Sequence, residues 1–250
     1  MENVIVKFKN VTLAFNHKKV LDNVSFELKQ RQDALLVGSS GAGKTTILKL
    51  MLGLIKPDAG QIILMDKDIN KLHLGSLNEI RQKFGLVFQS GALFDSLTVE
   101  ENVGFFLREN LKLDEGEIKK RVSDILRFLK IEDAADQYPD ALSGGMIKRV
   151  AIARVVVAYP KVLLYDQPVD GLDPATSRKV VSLVKNLRDL FDHTSLIVTH
   201  EINYFTDIIR RCLVLDMGKI VYDGKPDESV FDHLGKKKEK SEHTVYGDIE

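Results

Sequence analysis

A glycine-rich segment carries the strongest chemical signal in the sequence. Residues 38–45 (GSSGAGKT) match the pattern GxxxxGK[ST] in full. Glycines let consecutive backbone N–H groups turn inward around phosphate oxygens, Lys44 neutralises charge, and the Thr45 hydroxyl can ligate Mg²⁺. The apolar run ALLV precedes the segment and a helical pattern follows it, so the flanks are those of a phosphate-binding loop (P-loop). The candidate nucleotide-binding residues are Gly38, Ser39, Ser40, Gly41, Ala42, Gly43, Lys44, Thr45 and Thr46.

A second signal is the apolar run at residues 162–166 (VLLYD), which ends in a carboxylate. In a P-loop fold, the Asp at the end of such a strand holds Mg²⁺ through its water shell. Apolar runs that end in a solvated Asp without a function are common. Without other evidence, that structural interpretation of Asp166 would be favoured over a Mg²⁺ site. The P-loop upstream makes Asp166 a candidate Mg²⁺ residue beside Thr45.

The third signal is the segment LSGGM at residues 142–146, followed by a helical pattern. Alone, Ser143 would be interpreted as a helix N-cap before two flexible glycines. Together with the P-loop upstream and the Asp166 strand downstream, it makes a set that resembles the ATP-binding cassette family of ATPases. The resemblance covers roughly residues 4–231.

The resemblance assigns roles to three further side chains. Phe15 matches the aromatic residue that stacks on adenine, although a core Phe remains an equal alternative. Gln89 matches the glutamine that completes the Mg²⁺ shell and senses the membrane partner. His200 matches the histidine that contacts the γ-phosphate. Without this resemblance, a lone His at the end of a strand would be interpreted as structural. The implied cofactors are ATP and Mg²⁺.

The resemblance also implies that two copies share each ATP. In the family, Ser143 and the backbone of Gly144 and Gly145 contact the γ-phosphate held by the opposite subunit. Asp173, in the segment GLD at residues 171–173, matches the loop through which the subunits communicate. One P-loop and one LSGGM segment per chain therefore lead us to expect a two-fold homodimer.

Gln167 departs from the family pattern, which has Glu after the strand-end Asp. That Glu polarises the attacking water as a general base, and an amide cannot accept the proton. Gln can still orient a water molecule by hydrogen bonding. We therefore predict slow ATP turnover with Gln167 at the catalytic position, beside Lys44 and His200. Gln167 is either a deliberate replacement of Glu, made to keep ATP bound, or a natural variant, and the sequence is compatible with both.

The apolar patterns predict the elements that position these residues. Alternation over residues 4–30 favours antiparallel strands, whereas short apolar runs at 34–37, 85–88, 162–165 and 196–198 indicate a buried parallel sheet. Helical spacing fills residues 95–159, and residues 212–223 indicate a late hairpin. The predicted fold class is α/β: a RecA-like P-loop NTPase core with an N-terminal antiparallel β subdomain and an inserted α-helical subdomain.

These patterns predict one nucleotide-binding domain over residues 1–234. We assign its core to about 1–90 and 160–234 and its helical subdomain to about 91–159. Residues 235–250 form a charged tail, interpreted as mobile or as contacting a partner subunit.

Composition narrows the function classes. Of the 250 residues, 44% are hydrophobic, and 36 Lys and Arg balance 36 Asp and Glu. The hydrophobic fraction excludes a chain that is mainly disordered. A net charge of zero creates no overall electrostatic attraction to nucleic acid, so no nucleic-acid partner is expected. Cys212 is the single cysteine, so an internal disulfide and a cysteine zinc cluster are excluded. Since no signal sequence or apolar run of ~18 residues is present, a cytosolic protein is predicted.

Two details point to a type of transporter. Residues 89–99 (QSGALFDSLTV) and the Met of LSGGM resemble the ATPases of MCE-linked lipid transporters of the Mla type. That resemblance implies phospholipid transport, an integral-membrane permease, a periplasmic MCE subunit, a small STAS-domain protein in many systems, and a place on the cytoplasmic side of the inner membrane. Leu93 and Phe94 offer an apolar patch to a partner, or they cap the local core.

Two alternatives come from other classes. One is a cell-division type of cassette ATPase, which signals across the membrane without moving a solute. The other is a soluble DNA-repair or translation cassette ATPase. It is disfavoured because the sequence has neither a long coiled-coil insertion nor a second cassette.

Overall fold

The computed structural model describes residues 3–111, 113–227 and 229–234. In chain order, the elements are β1 (Val4–Phe15), β2 (Lys18–Lys29), β3 (Asp33–Val37), α1 (Lys44–Met51), β4 (Ala59–Leu64), β5 (Lys67–Asp68), α2 (Leu74–Arg81), β6 (Phe84–Val87), α3 (Val99–Asn110), α4 (Glu115–Phe128), α5 (Gly144–Val156), β7 (Val162–Asp166), α6 (Pro174–Leu190), β8 (Thr194–Thr199), β9 (Cys212–Asp216), β10 (Lys219–Gly224) and α7 (Ser229–His233). Short 3-10 helices lie at Ile69–Lys71, Glu132–Ala134, Pro139–Ala141 and Ile202–Tyr204. The predicted tail, 235–250, lies outside the described residues.

The N-terminal part forms an antiparallel sheet in the order β2-β1-β4-β5. The predicted alternation is confirmed in β2, where Val24, Phe26 and Leu28 are buried while Ser25 and Lys29 are exposed. β4 and β5 extend this sheet, and the sequence patterns did not predict them. One face of the sheet packs against α1 and the larger sheet.

The larger sheet has the order β10-β9-β3-β8-β7-β6. β6, β7, β8 and β3 run parallel, as the four apolar runs predicted. β9 joins them parallel to β3, which the runs did not predict, and β10 pairs antiparallel with β9 in the predicted late hairpin. β7 and β8 are buried along their whole length, and β3 and β9 at all but one residue, because the antiparallel sheet and α1 cover one side and helices cover the other. The edge strand β10 alternates between exposed and half-buried residues. The carboxyl ends of the parallel strands therefore meet at one edge, which is where ligands bind in such sheets.

Three α-helices, α3, α4 and α5, lie between β6 and β7 and pack on one another. Thr98 begins α3 with a capping box to Glu101, and α4 presents Ile118, Val122 and Ile125 to the core. The architecture is the predicted α/β core with an antiparallel sheet and an inserted helical part. Among the described residues, no helix is both long enough and apolar enough to cross a bilayer.

Candidate nucleotide site

A cavity of about 700 Å³ opens at the carboxyl edge of the parallel sheet. Loops after β3, β6, β7 and β8 converge on it, although they are far apart in sequence. Its lining comprises Val20, Gly38, Ser39, Ser40, Gly41, Gly43, Lys44, Thr45, Thr46, Gln89, Gln167, Asp170, His200 and Leu234. The fold thus brings the predicted P-loop, Gln89, Gln167 and His200 to one place.

The P-loop wraps the N-terminus of α1. Gly41 and Gly43 adopt φ angles of +78° and +106°, a region that glycine enters at low cost. A Cβ on Gly43 would also lie 2.9 Å from a Leu21 methyl carbon, so the loop passes close to β2. Lys44 is 6% exposed, and its Nζ donates to the carbonyls of Gly38 at 2.9 Å and Ser39 at 2.8 Å. The ammonium group is thereby held over the cavity with the helix N-terminus beside it.

The residues for a divalent cation meet at the start of α1. The Thr45 hydroxyl lies 3.2 Å from Asp166 Oδ2 and 3.4 Å from Oδ1. Burial raises the pKa of the Asp166 carboxyl, while the Thr45 hydrogen bond and Lys44 oppose that rise. A hydroxyl, a partly desolvated carboxylate and the Gln89 amide are hard oxygen donors, which fit Mg²⁺.

Asp170 links three loops around the cavity. Gln89 Nε2 donates to Asp170 Oδ2 at 2.6 Å, and His200 Nε2 lies 3.5 Å from Asp170 Oδ1. Lys148 Nζ donates to the backbone carbonyl of Gln89 from the helical side. The loops after β6, β7 and β8 are therefore joined through one carboxylate.

Gln167 holds a fixed backbone position at the cavity. Its φ is +50°, its N–H donates to the Val198 carbonyl at 2.8 Å, and its carbonyl accepts the Asp170 N–H at 3.2 Å. These two hydrogen bonds orient residue 167 independently of its side chain. An amide therefore stands where the family pattern has a carboxylate.

Ser143 and its neighbours lie elsewhere. Ser143 is the N-cap of α5 and accepts the Met146 N–H at 3.3 Å, as its position before the glycines predicts. Asp173 caps α6 and accepts the backbone N–H groups of Ala175 and Thr176. A hydrogen bond from the Thr176 side chain, together with these N–H groups, lowers the pKa of the Asp173 carboxyl. A separate cavity of about 450 Å³ is lined by Ser143, Gly144, Gly145, Met146, Arg149, Gly171, Leu172, Asp173, Thr176, Lys179 and Val180. The two cavities share no lining residue.

Besides the Ser143 segment and Asp173, two predicted nucleotide residues, Phe15 and Ala42, and the predicted Mg²⁺ residue Asp166 lie outside the cavity lining. Phe15 is 49% exposed at the end of β1, in the same β-hairpin that contributes Val20 to the cavity. Ala42 is buried within the P-loop. The roles of Phe15, Gln89, Ser143 and the other family-matched residues stay predictions.

Three lining residues were not predicted from the sequence: Val20, Asp170 and Leu234. Asp170 carried a usable signal, since it is a charged residue in the loop after the Asp166 strand. Val20 and Leu234 look like ordinary strand and helix-end residues.

Comparison with known proteins agrees with this geometry. The sequence model of the ABC transporter family matches residues 21–170. Methionine import ATP-binding protein MetN 1 of Bacillus thuringiensis is 36% identical over 225 residues, covering 88% of this chain and 66% of its own length. MetN 1 of Staphylococcus aureus is 38% identical over 233 residues, covering 92% of this chain and 68% of its own length.

Solved structures give the same result. CbiO1 of Clostridium perfringens, part of the transporter complex CbiONQ, has a TM-score of 0.84 and 30% identity, covering 94% of this chain and 93% of that one. The dimeric ATP-binding cassette MJ0796 bound to ADP and Pi has a TM-score of 0.80 and 33% identity, covering 89% of this chain and 99% of that one.

The P-loop, the Thr45–Asp166 pair and the converging strand ends define a P-loop nucleotide-binding protein. The chain belongs to the ABC transporter family. The chain spans about two thirds of the length of the curated relatives it matches. Those relatives are named for methionine import, so they give no support to the Mla-type resemblance or to the expected MCE and STAS partners.

Proposed function

We propose that this chain is the ATP-binding and ATP-hydrolysing subunit of an ABC transporter. The observation that carries the proposal is the convergence of Lys44, Thr45 and His200 on one cavity, with the Asp166 carboxylate accepting the hydrogen bond of the Thr45 hydroxyl. The P-loop amides and Lys44 bind the phosphates, while Thr45, Asp166 and Gln89 would hold Mg²⁺. When bound, Mg²⁺ neutralises the charge that develops on the phosphate oxygens.

The second part of the proposal is that ATP binds between two copies of the chain. Ser143, Gly144 and Gly145 stand at the N-terminus of α5, where backbone N–H groups and the helix dipole favour an anion. They line a different cavity from the P-loop, so a single chain offers two incomplete half-sites. A two-fold dimer brings the P-loop of each copy to the Ser143 segment of the other and completes two sites.

The third part concerns turnover. Gln167 orients the attacking water by hydrogen bonding but accepts no proton from it. Hydrolysis with Gln167 is therefore slow, and ATP stays bound for longer than it would with Glu at this position.

The fourth part is a docking site for a separate membrane permease beside Gln89. Leu93 packs against the core, whereas Phe94 is 42% exposed, so of the two predicted patch residues only Phe94 faces outward. Phe94 contacts Phe105 with ring centroids 4.7 Å apart, and the Arg154 guanidinium lies 5.3 Å from the Phe94 ring centroid. A groove of about 270 Å³ adjoins these residues. A permease segment seated there would place the chain on the cytoplasmic side of the inner membrane.

The cargo is the finest part of the proposal. The segment 89–99 and Met146 favour phospholipid transport with an MCE subunit, through their resemblance to the Mla type. The named relatives favour methionine import as the second candidate. Nothing in the described residues reads a lipid or an amino acid, because substrate recognition belongs to the membrane partners.

Identifying the membrane proteins that bind this chain tests which substrate the transporter moves. The tagged full chain is expressed in its native cell, and membrane proteins that co-purify in mild detergent are identified by mass spectrometry. A Phe94→Asp variant is the matched control, because a charge on the groove should release a specific permease. Co-purification of an MCE subunit supports lipid transport. A methionine permease would replace that cargo with the second candidate, and a cell-wall hydrolase regulator would favour the cell-division alternative.

A further inference from the structure

Asp170 binds the side-chain amide of Gln89, in which one end donates hydrogen bonds and the other accepts them. The Gln89 amide offers an N–H donor group and a carbonyl acceptor, and only the carbonyl oxygen can ligate a cation. Gln89 Nε2 donates to Asp170 Oδ2 at 2.6 Å, a charge-assisted hydrogen bond. Because the nitrogen is engaged, Oε1 is the amide atom left for the cation.

The backbone of Gln89 is held as well. Its carbonyl accepts from Lys148 Nζ, a buried ammonium on α5 that also interacts electrostatically with Asp170. Asp170 is in turn fixed by its own N–H, which donates to the Gln167 carbonyl at 3.2 Å. Gln89 is thus anchored at its main chain by one helix and at its side chain by the loop after β7.

We propose that Asp170 is a positioning residue: by accepting the Gln89 amide N–H, its carboxylate fixes the amide with Oε1 available to the Mg²⁺ of the bound nucleotide. This inference rests on the proposed ATP site and names a residue that acts there through Gln89. Without the acceptor, the amide turns freely, and part of the time it presents its N–H group to the cation.

Glu201, which follows His200 in the chain, provides a matched control outside the cavity lining. Its Oε1 lies 3.6 Å from His200 Nε2, as Asp170 Oδ1 does at 3.5 Å. Both carboxylates therefore neighbour His200, but only Asp170 receives the Gln89 amide. Glu201→Gln removes a charge near His200 and leaves the Gln89 amide in place.

The test measures cation affinity directly. The full-length chain is saturated with ATP and titrated with Mn²⁺, and free Mn²⁺ is followed by electron paramagnetic resonance. Asp170→Ala should weaken Mn²⁺ binding by about tenfold, since one hydrogen bond to a charged group is lost. Asp170→Asn should recover most of that loss, because its amide oxygen still accepts the Gln89 N–H. Glu201→Gln should bind Mn²⁺ as the unmodified chain does.

A double variant shows whether the effect passes through Gln89. Adding Asp170→Ala to Gln89→Ala should weaken Mn²⁺ binding no further than Gln89→Ala alone. Additive losses, an Asn variant as weak as the Ala variant, or an unchanged Asp170→Ala affinity would each overturn the inference. ATP binding in EDTA, followed with a fluorescent ATP analogue, is measured first. If the unmodified chain binds no ATP, the proposed function fails together with the inference, whereas normal ATP binding with unchanged Mn²⁺ affinity removes the inference alone.

Discussion

Replacing Gln167 by Glu should raise the rate of ATP hydrolysis. The residue lines the cavity, and its backbone is held by the hydrogen bonds to Val198 and from Asp170. Glu has the same length and branching as Gln, so the carboxylate takes the place of the amide without a change in the loop. The positive φ of +50° burdens both residues alike.

The expected gain follows from the one function that the amide lacks. General-base catalysis contributes about 10²–10⁴-fold to a rate. Gln167 still orients a water molecule, so we expect the lower end, about 100-fold in kcat, which corresponds to about 2.7 kcal/mol in the activation free energy. KM for ATP should change little, because the phosphates are bound by the P-loop.

The assay is steady-state phosphate release by the chain in its complete complex. Gln167→Ala serves as the control, since it removes both the proton acceptor and the water-orienting amide, and its rate should fall below that of the unmodified chain. Equal rates for Gln167 and Gln167→Glu would refute the assignment of this position to water activation.

Four further predictions concern binding and stability. Lys44→Ala should weaken ATP binding by more than about tenfold, because the buried ammonium proposed to bind the phosphates is lost, and equilibrium fluorescence titration measures the affinity. Gly38→Ala should lower the free energy of unfolding by about 2 kcal/mol, since its Cβ would lie 2.2 Å from the Leu215 carbonyl oxygen; urea denaturation checks this. Asp166→Asn should raise the nucleotide-free Tm, because burial disfavours the carboxylate more than Thr45 and Lys44 favour it. The same change should abolish the further stabilisation by Mg²⁺ with ATP, and differential scanning fluorimetry gives both values. Burial raises the pKa of the Cys212 thiol to about 12, so a thiol reagent at pH 8 should modify Cys212 only on unfolding, and a fast reaction with the native chain would contradict its burial.

The parts of the site that the sequence predicted are those in which chemistry and local structure coincide. The P-loop needs its glycines, its lysine and the following helix within a few residues, and parallel strands bring their carboxyl ends together by topology. His200 therefore lines the cavity as expected for a strand-end residue, and Asp166 contacts the lining residue Thr45. Ser143 capped α5 for the same local reason.

The features that the sequence did not predict depend on contacts between residues far apart in the chain. β4 joins β1 through contacts between residues some fifty positions apart, and its Gly60 lies where a Cβ would be 2.4 Å from the Asn10 carbonyl oxygen. Asp170 meets Gln89 across 81 residues, and no pattern within either loop specifies that contact. Leu93 and Phe94 are adjacent apolar residues, and only the tertiary packing leaves Leu93 partly buried against the core and Phe94 exposed.

The measurement that tests the account most directly is the mass of the purified chain in solution with and without ATP and Mg²⁺, obtained by sedimentation velocity. If ATP binds between two copies, the chain should be a monomer without nucleotide and a dimer holding two ATP molecules when ATP and Mg²⁺ are present. The dimer should persist because hydrolysis with Gln167 is slow and the ATP stays bound. Mixing Lys44→Ala and Ser143→Arg chains should give dimers with one intact site. A chain that binds ATP and Mg²⁺ to saturation yet stays monomeric would contradict the shared site.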